Sequence, residues 1–422
     1  MECQNTIEFA ENADREDGLS TYRESFHFPK IDGKECLYFT GNSLGLQPKK
    51  TKEFVVQELD DWADFAVEGH FNARRPWYAY HEFLTEKTAR LVGAKPEEVV
   101  VTHSLTTNLH LLMVSFYQPT KNRFKIICEA KAFPSDQYVL ESQARVHGFD
   151  PDEAIIEICP REGEEIIRNE DVIDKIRECG AQLALVMIGG VNYYTGQVFD
   201  MENITKAGHE VGAMVGWDLA HAAGNLVLKL HEWDVDFAAW CGYKYLNSGP
   251  GGVSGIFVHQ RHVKDRSLPR FAGWWGHDKE SRFLMEKGFK PIPTAEAWQL
   301  SNAPVLAMAA HLASLDIFND VGMERLREKT ILLSGYLEYI IDVTSQELGV
   351  NLEIITPRAW EERGCQLSIV AHGYGKQLFD QLMSEGVVVD WREPNVIRMA
   401  PVPLYNSFMD VYKFGQILKK AL

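Results

Sequence analysis

Short, almost uninterrupted apolar runs alternate with stretches of mixed polarity between about residue 90 and residue 260. The apolar runs predict β-strands at residues 99–102, 124–128, 183–188, 213–217, 237–240 and 255–259. The segments between them, for example residues 169–179, predict α-helices. Apolar strands separated by helices are typical of an α/β fold with a mostly parallel sheet covered on both faces.

The pattern changes after residue 300. Two helices are predicted at residues 305–318 and 323–343, with a break at Val321-Gly322. The elements that follow are a strand, a helix, two strands and a terminal helix, predicted at residues 366–371, 376–384, 387–391, 396–400 and beyond Ser407. This order indicates a small α+β domain.

A chain of 422 residues exceeds the size at which a single hydrophobic core stops growing, so we expect two domains. We expect residues 71–310 to form a large domain and residues 311–422 a small C-terminal domain. Residues 1–70 are predicted to be an N-terminal segment that joins the small domain.

Residues 49–69 predict a further amphipathic helix. Its apolar positions Val55, Leu59, Trp62 and Ala66 share one face. The loop after it, residues 69–77, combines polar and aromatic side chains. Such loops often carry function, although a plain surface loop has the same composition.

Composition narrows the functional classes. The chain is 45% hydrophobic and 24% charged, as in ordinary globular enzymes. Its net charge of -17 argues against a nucleic acid or an anionic membrane as partner. No apolar run reaches transmembrane length, and the first 17 residues are acidic rather than signal-like. The seven scattered cysteines form no CxxC pair, which favours reduced thiols in the cytoplasm and no structural zinc.

A lysine follows the predicted strand at residues 237–240. Lys244 lies between two tyrosines and before a glycine-rich turn that continues to residue 252. A strand that ends in this way places an amine at the rim of a sheet, where burial lowers the pKa of the lysine and makes it a base or a Schiff-base nucleophile. A solvated surface lysine fits the same local pattern.

A carboxylate ends the predicted strand at residues 213–217. Asp218 is followed by His221 one helical turn later. A buried aspartate needs a cationic or hydrogen-bonding partner, and a protonated pyridine nitrogen would serve. The alternatives are a helix cap and a metal pair, but no third metal ligand stands at a recognisable spacing.

Three further segments carry candidate chemistry. Hydroxyl side chains cluster around residues 104–107, where a strand passes into a helix. They suit a phosphate, although simple helix capping is the commoner role of such residues. Phe133 could stack on a planar cofactor or belong to the core. Arg398 lies in an apolar strand, where it needs either a substrate carboxylate or an internal ion pair.

The order of these features is informative. A phosphate cup, a stacking aromatic, a strand-end aspartate, a strand-end lysine and a late arginine occur in the order used by fold-type I pyridoxal-phosphate enzymes. Motifs that span most of the chain closely resemble the kynureninase family: GNSLGLQP (41–48), LTTNLHLLM (105–113), KAFPSD (131–136), YYTGQ (193–197), WDLAHAAGN (217–225), YKYLNSGPGG (243–252), GWWGH (273–277), SNAP (301–304) and IRMAPVPLYNSF (397–408).

The resemblance implies an activity and a cofactor. The implied reaction is pyridoxal 5'-phosphate-dependent hydrolysis of the Cβ–Cγ bond of L-kynurenine or 3-hydroxy-L-kynurenine. The products would be L-alanine and anthranilate or 3-hydroxyanthranilate, in tryptophan catabolism or NAD biosynthesis. The implied fold is that of a fold-type I enzyme, with a seven-stranded, mostly parallel sheet in the large, cofactor-binding domain.

The resemblance also implies residue roles. Lys244 would be the Schiff-base lysine, Asp218 the partner of the pyridine nitrogen, and Tyr243 a proton relay. The other implied cofactor-binding residues are Leu105, Thr106, Phe133, Ser135, Asp136 and His221. Arg398 would hold the substrate α-carboxylate, with Ser43 and His70 in the substrate pocket.

A second copy of the chain is implied as a partner. In the family, the positions of Trp274 and Asn302 reach the cofactor site across a homodimer interface, and Asn302 also falls on a substrate-binding position. His70 together with Ser301-Asn302 resembles members that prefer the 3-hydroxylated substrate.

Two rival interpretations use the same residues. Gly41-Asn42-Ser43-Leu44-Gly45 matches the G-x-S-x-G motif of serine hydrolases, but that motif normally follows several strands, and no oxyanion-loop motif accompanies it. A cysteine desulfurase would share the fold and need a mobile catalytic cysteine, for which Cys365 is the candidate.

Overall fold

The structure is a computed structural model that describes residues 3–422. In chain order, the α-helices are α1 (Ile7–Glu16), α2 (Lys50–Phe65), α3 (Gly69–Asn72), α4 (Glu82–Val92), α5 (Leu105–Phe116), α6 (Pro134–Val146), α7 (Pro151–Ala154), α8 (Asn169–Cys179), α9 (Met201–Glu210), α10 (Gln260–Val263), α11 (Val305–Val321), α12 (Met323–Leu348), α13 (Lys376–Ser384) and α14 (Phe408–Ala421).

The strands are numbered in the same chain order. They are β1 (Phe26–His27), β2 (Lys30–Ile31), β3 (Lys34–Glu35), β4 (Leu37–Tyr38), β5 (Gln47–Pro48), β6 (Val99–Thr102), β7 (Lys125–Glu129), β8 (Ile155–Ile158), β9 (Leu183–Gly189), β10 (Met214–Asp218), β11 (Phe237–Cys241), β12 (Ser254–Val258), β13 (Leu352–Ile354), β14 (Leu367–Ala371), β15 (Val387–Val388), β16 (Asp390–Arg392) and β17 (Val396–Met399).

The large sheet has seven strands within the described chain, in the order β6-β12-β11-β10-β9-β7-β8. Strand β12 is antiparallel to both of its neighbours, and the pairs from β11 to β8 are parallel. Because parallel strands end at the same edge of a sheet, the last residues of β7, β9, β10 and β11 meet there.

Successive residues of these strands pack into two different cores. Val99 and Val101 belong to the core on one face of the sheet, whereas Val100 belongs to the core on the other. This alternation is what a sheet covered by helices on both faces requires, and it explains why the strand sequences are apolar throughout.

The small domain has its own sheet and core. Its antiparallel sheet runs β13-β14-β17-β16 and packs with α12, α13 and α14 around a separate group of buried side chains. Ala10 and Ala13 of α1 belong to this core. Asp14 accepts hydrogen bonds from the backbone N–H groups of Phe408 (2.7 Å) and Met409 (3.0 Å) at the start of α14.

The division at residue 311 stays a prediction. Leu312, Leu315 and Phe318 of α11 pack in the large core, whereas Leu333 and Leu337 of α12 pack in the small one. Side-chain packing thus changes from one core to the other within α12.

Each of the six predicted strands of the large sheet is present, with ends shifted by at most one residue. The edge strand β8 was not located from the sequence, because its partly exposed IIEI sequence lacks a continuous apolar run.

Helix α2 ends at Phe65, earlier than predicted, and Ala66 lies beyond it. Its apolar face does not pack fully into the core of its own chain, because Leu59 is exposed and Trp62 has a relative exposure of 61%. No described helix has both the length and the hydrophobicity needed to cross a membrane.

Candidate active site

The carboxyl edge of the large sheet carries a cavity of about 190 Å³. Nine of the residues predicted from the sequence line this cavity together: Leu105, Thr106, Phe133, Ser135, Asp136, Asp218, His221, Tyr243 and Lys244. They come from segments far apart in sequence, and the strand ends bring them together.

Lys244 follows β11 through a short turn and is almost fully buried. Its Nζ lies 3.0 Å from Nε2 of His221 and 5.7 Å from the ring centroid of Phe133. Burial and the charge of Lys244 hold the pKa of His221 well below its ordinary value. The imidazole is therefore neutral, and its Nε2 accepts a hydrogen bond from the amine.

Three carboxyl groups line the cavity together. Asp218 ends β10, Glu129 ends β7, and Asp136 lies in the first turn of α6. Burial raises the pKa of all three, to about 7 for Glu129 and well above the ordinary range for Asp136. Because the Ala220 N–H donates to Asp218 at 2.7 Å, Asp218 is the natural anion of the group, and Asp136 carries a proton.

The start of α5 also lines the cavity. The Ser104 side chain makes no cap hydrogen bond there; its Oγ pairs instead with Oγ1 of Thr107 at 3.2 Å. The first N–H groups of a helix have no partner within the helix, so the first turn of α5 is available to an anion. This geometry favours the phosphate interpretation of the hydroxyl cluster over simple capping.

Arg398 is buried, with a relative exposure of 1%, and lies beside the cavity rather than in its lining. Its Nη1 donates to the carbonyl of Tyr193 at 2.6 Å, and Tyr193 lines the cavity. Its Nη2 donates to Oγ of Ser43 at 3.2 Å and to the carboxylate of Asp390. The internal ion pair is therefore present, while Nε of Arg398 is buried without a partner among the described residues.

Besides Arg398 and Ser43, three more predicted site residues do not line this cavity. The ring of His70 packs edge-on against that of Trp77, with the ring centroids 5.5 Å apart. Its Nδ1 lies 2.9 Å from the carbonyl oxygen of Val67. Trp274 is 45% exposed and donates from its indole N–H to the carbonyl of Arg282. Asn302 is exposed in the loop before α11. A single chain does not bring these side chains to Lys244.

Comparison with known proteins identifies the family. Residues 326–418 match the family model of the kynureninase C-terminal domain. A kynureninase from Christiangramia forsetii is 60% identical over 422 residues, which cover 100% of this chain and 99% of that protein. A kynureninase from Nematostella vectensis is 46% identical over 434 residues, covering 98% of this chain and 93% of the relative.

The chain belongs to the kynureninase family.

Solved structures share the fold at low sequence identity. The apo structure of a cysteine desulfurase from Thermococcus onnurineus has a TM-score of 0.76 at 18% identity and covers 100% of this chain and 98% of its own. A C-DES mutant with glycine covalently linked to its PLP cofactor has a TM-score of 0.76 at 15% identity and covers 91% and 96%. The predicted fold class, a fold-type I α/β enzyme with a C-terminal α+β domain, is confirmed.

The site fits pyridoxal 5'-phosphate, the cofactor of the kynureninase family. The open first turn of α5 suits the phosphate, and the buried carboxyl cluster suits a protonated ring nitrogen. Lys244 lines the same cavity and lies near the ring of Phe133. One cavity thus offers partners for the phosphate, the ring nitrogen and the aldehyde of the cofactor.

Both rival interpretations fail on geometry. Cys365 has a relative exposure of 1%, and burial raises the pKa of its thiol to about 12, so it is not a mobile nucleophile. The Ser43 hydroxyl is occupied by Asp390 and Arg398, and no histidine in residues 3–422 hydrogen-bonds to it. This kynureninase-family chain therefore has neither a desulfurase thiol nor a serine-hydrolase pair.

Glu129 and Tyr193 are two of the cavity-lining residues that sequence reasoning missed. Glu129 directly follows an apolar run, the same signal that identified Asp218. Tyr193 lies within a motif used for the family resemblance, and its ring meets that of Phe133 edge-on at 5.2 Å.

Proposed function

We propose that the protein hydrolyses the Cβ–Cγ bond of L-kynurenine or 3-hydroxy-L-kynurenine, giving L-alanine and anthranilate or 3-hydroxyanthranilate. The observation that carries the proposal is the shared cavity of Lys244 and Asp218, together with membership of the kynureninase family. When bound, pyridoxal phosphate supplies an aldehyde for the amine and a ring that withdraws the electrons released at the substrate α-carbon.

Lys244 is the base of the proposed reaction. Its amine is buried, lies 3.0 Å from Nε2 of the neutral His221 and forms no salt bridge among the described residues. Such an amine can take the α-proton of the substrate and return it. Asp218 remains the anion that holds a proton on the ring nitrogen.

Tyr243 is the proposed proton relay. Burial is the main cause that raises the pKa of its phenol to about 12, so the hydroxyl stays protonated near neutral pH and acts as a donor. It lines the same cavity as Lys244, the next residue in the chain.

Arg398 is the proposed anchor of the substrate α-carboxylate. Its unpartnered Nε and its buried position provide a free donor next to the cavity wall formed by Tyr193. Because Asp390 and Ser43 hold Nη2, the guanidinium is already oriented before a carboxylate arrives. Ser43 contributes to the substrate pocket through this contact.

We propose that the active protein is a homodimer in which the partner supplies Trp274, Asn302 and the surroundings of His70. These side chains are partly or fully exposed and lie outside the cavity of their own chain. Large apolar side chains are exposed on the same segments and on α2: Leu59, Trp62, Phe65, Val67, Phe71, Phe271, Phe283, Leu284 and Met285. An exposed apolar surface of this extent is typical of an interface.

Mixing two inactive variants tests the shared site. Lys244→Ala lacks the base, and Trp274→Ala lacks the group proposed to come from the partner. A mixed dimer contains one site with both residues, so we expect activity to return after the two variants are mixed and exchanged. Activity that stays at background, with exchange shown by light scattering of tagged subunits, would contradict the shared site.

The function is tested by following the ultraviolet absorbance of the substrate in the presence of purified protein and pyridoxal phosphate. We expect loss of L-kynurenine or its 3-hydroxy analogue with release of one alanine per substrate. Comparison of kcat/KM for the two substrates tests the proposed preference for the 3-hydroxylated one, which rests on the resemblance at His70 and Asn302. Alanine release from cysteine but not from either kynurenine would contradict the proposal.

We also propose a cytoplasmic location. All seven cysteines are unpaired in the structure, which suits a reducing compartment.

A further inference from the structure

Glu129 is a buried, titratable residue of the cavity for which the reaction above has no role. Its relative exposure is 4%, and it forms no salt bridge among the described residues. The backbone N–H of Gly189 donates to both of its carboxylate oxygens at 3.2 Å. Strand β9 lies between β7 and β10, so this contact holds the carboxyl group of Glu129 over the middle strand, on the side of Asp218.

Gly189 leaves the carboxyl group of Glu129 undisturbed in this position. A Cβ atom at residue 189 would lie 2.9 Å from Oε1 of Glu129, closer than real Cβ contacts allow. Because Oε1 is the end of a flexible side chain, a larger residue at 189 would displace this carboxyl group from its contact with the backbone N–H.

The groups around Glu129 decide what it does. The titratable side chains that share its cavity are Asp218, Asp136, His221, Lys244, Tyr243 and Tyr193. Cys128 of β7 and its partner Glu157 of β8 alternate with Glu129 and lie on the other face of the sheet. Lys244 is the cation of this group, since His221 is neutral. Three carboxylates and one amine cannot all be charged in an enclosed site, so protons must be shared.

We propose that Glu129 is a positioning residue of the cofactor site, which keeps the shared proton of the Asp136–Asp218 pair on Asp136 and leaves the carboxylate of Asp218 to face the ring nitrogen. This inference rests on the proposed function. A protonated Asp136 donates to Asp218 and fixes its orientation. Negative charge on Glu129 opposes the release of that proton.

The pH at which Glu129 ionises gives the proposal a distinctive signature. Its pKa is raised to about 7, mainly by burial. At pH 6 most of Glu129 is neutral, so Glu129→Gln should bind cofactor like the native protein. At pH 8 the native carboxylate is charged and the amide is not, so the two proteins should differ.

Equilibrium binding of pyridoxal 5'-phosphate to the cofactor-free full chain tests this. For Glu129→Gln, we expect a dissociation constant equal to the native value at pH 6 and about threefold to tenfold larger at pH 8, the effect of up to roughly one pKa unit in a neighbouring group. Glu157→Gln is the matched control: it alters an exposed glutamate of β8 and should give a ratio of one at both pH values.

Each outcome is decisive. A ratio of one at pH 8, the same ratio at both pH values, or tighter binding would overturn the role of Glu129. Absence of cofactor binding by the native protein would instead overturn the proposed function. If Glu129→Gln does not fold, infrared difference spectra of the native protein at pH 8 replace it: a protonated carboxyl band that disappears in Asp136→Asn supports the proposal, and its absence overturns it.

Discussion

Two buried aspartates lie at opposite edges of the same sheet and have opposite surroundings. Asp236 immediately precedes β11, with a relative exposure of 2%; Asp218 ends the neighbouring β10, with 6%. Burial would raise the pKa of Asp236, but hydrogen bonds from His209 (2.9 Å) and His262 (2.7 Å) and the charge of Arg261 hold it well below its ordinary value. Burial raises the pKa of Asp218, and Lys244 lowers it only in part.

The two aspartates therefore have different roles, one in the stability of the fold and the other in the ligand site. The carboxylate of Asp236 has enough partners in its own chain, including the Val215 N–H at 2.7 Å, so it stabilises the fold. Asp218 lacks an adjacent cation of that kind and shares its site with Asp136 and Glu129. A buried carboxylate left short of positive charge costs stability unless a ligand supplies the charge. The carboxyl edge of the sheet, at Asp218, therefore leaves a site for a ligand. At the opposite edge, Asp236 already has its partners within the chain.

The largest expected effect concerns function alone. Lys244→Ala should reduce turnover to background and abolish the imine absorbance of bound cofactor, because no other amine lines the cavity in residues 3–422. The melting temperature of the cofactor-free protein should stay close to the native value. Lys229→Ala, at an exposed lysine paired with Glu232, is the control and should remain active. A fully active Lys244→Ala would remove the basis of the proposed function.

Substitution of Asp236, at the opposite edge of the sheet, should affect stability alone. Asp236→Asn removes the partner of Arg261, His209 and His262, and we expect a loss of roughly 3–5 kcal/mol in the free energy of unfolding. Since the pKa of Asp236 is depressed in the folded state, its stabilisation is present above the ordinary aspartate pKa and is lost as the pH falls towards the folded-state pKa. Urea denaturation at several pH values checks this; equal stability at pH 7 would contradict it.

Arg398→Ala tests whether the small domain contributes to the ligand site at the carboxyl edge of the large sheet. Loss of the carboxylate anchor should weaken the apparent substrate affinity by roughly 2–5 kcal/mol, seen as a higher KM with cofactor retained. The control is Arg392→Ala, which also removes a partner of Asp390 (2.9 Å) but lies on the outer side of the pair. An unchanged KM for Arg398→Ala would show that Arg398 only balances Asp390.

The smallest expected effect is the loss of stability that a buried carboxyl group at the carboxyl edge causes in the cofactor-free protein. Because the pKa of Glu129 is raised from 4.5 to about 7, the cofactor-free protein should lose stability as the pH rises through this range. Glu129→Gln lacks this loss and should be more stable than the native protein by up to about 3 kcal/mol at pH 8, and equally stable below about pH 4.5. Denaturation curves that stay parallel from pH 4 to pH 8 would contradict this cost.

Much of this architecture could be predicted because strand ends are visible in the sequence. Asp218 and Lys244 each follow an apolar run, and parallel strands necessarily bring such residues to one edge. Glu129 carries the same signal and could have been found. The pairing of Arg398 with Asp390 was also within reach, since the antiparallel register of β16 and β17 places them opposite each other.

Other features could not be predicted in this way. Periodicity shows that α2 has an apolar face, but it does not show whether that face packs on its own core or, as the exposure of Trp62 indicates, elsewhere. Burial of Cys365 likewise depends on packing between distant segments. The positions of Trp274 and Asn302 outside the cavity follow from the path of a long irregular segment, for which the sequence pattern has no period.

The antiparallel strand β12 has a consequence for biosynthesis. Strand β6, which leads into the phosphate-binding turn, pairs with β12 and with no other strand of the large sheet in the described chain. On the ribosome, the turn at Leu105 and Thr106 must therefore wait until residues 254–258 have emerged, well after Asp218 and Lys244. Capture of the vitamin B6 cofactor by the nascent chain is thus a late event, because such long-range pairing delays folding.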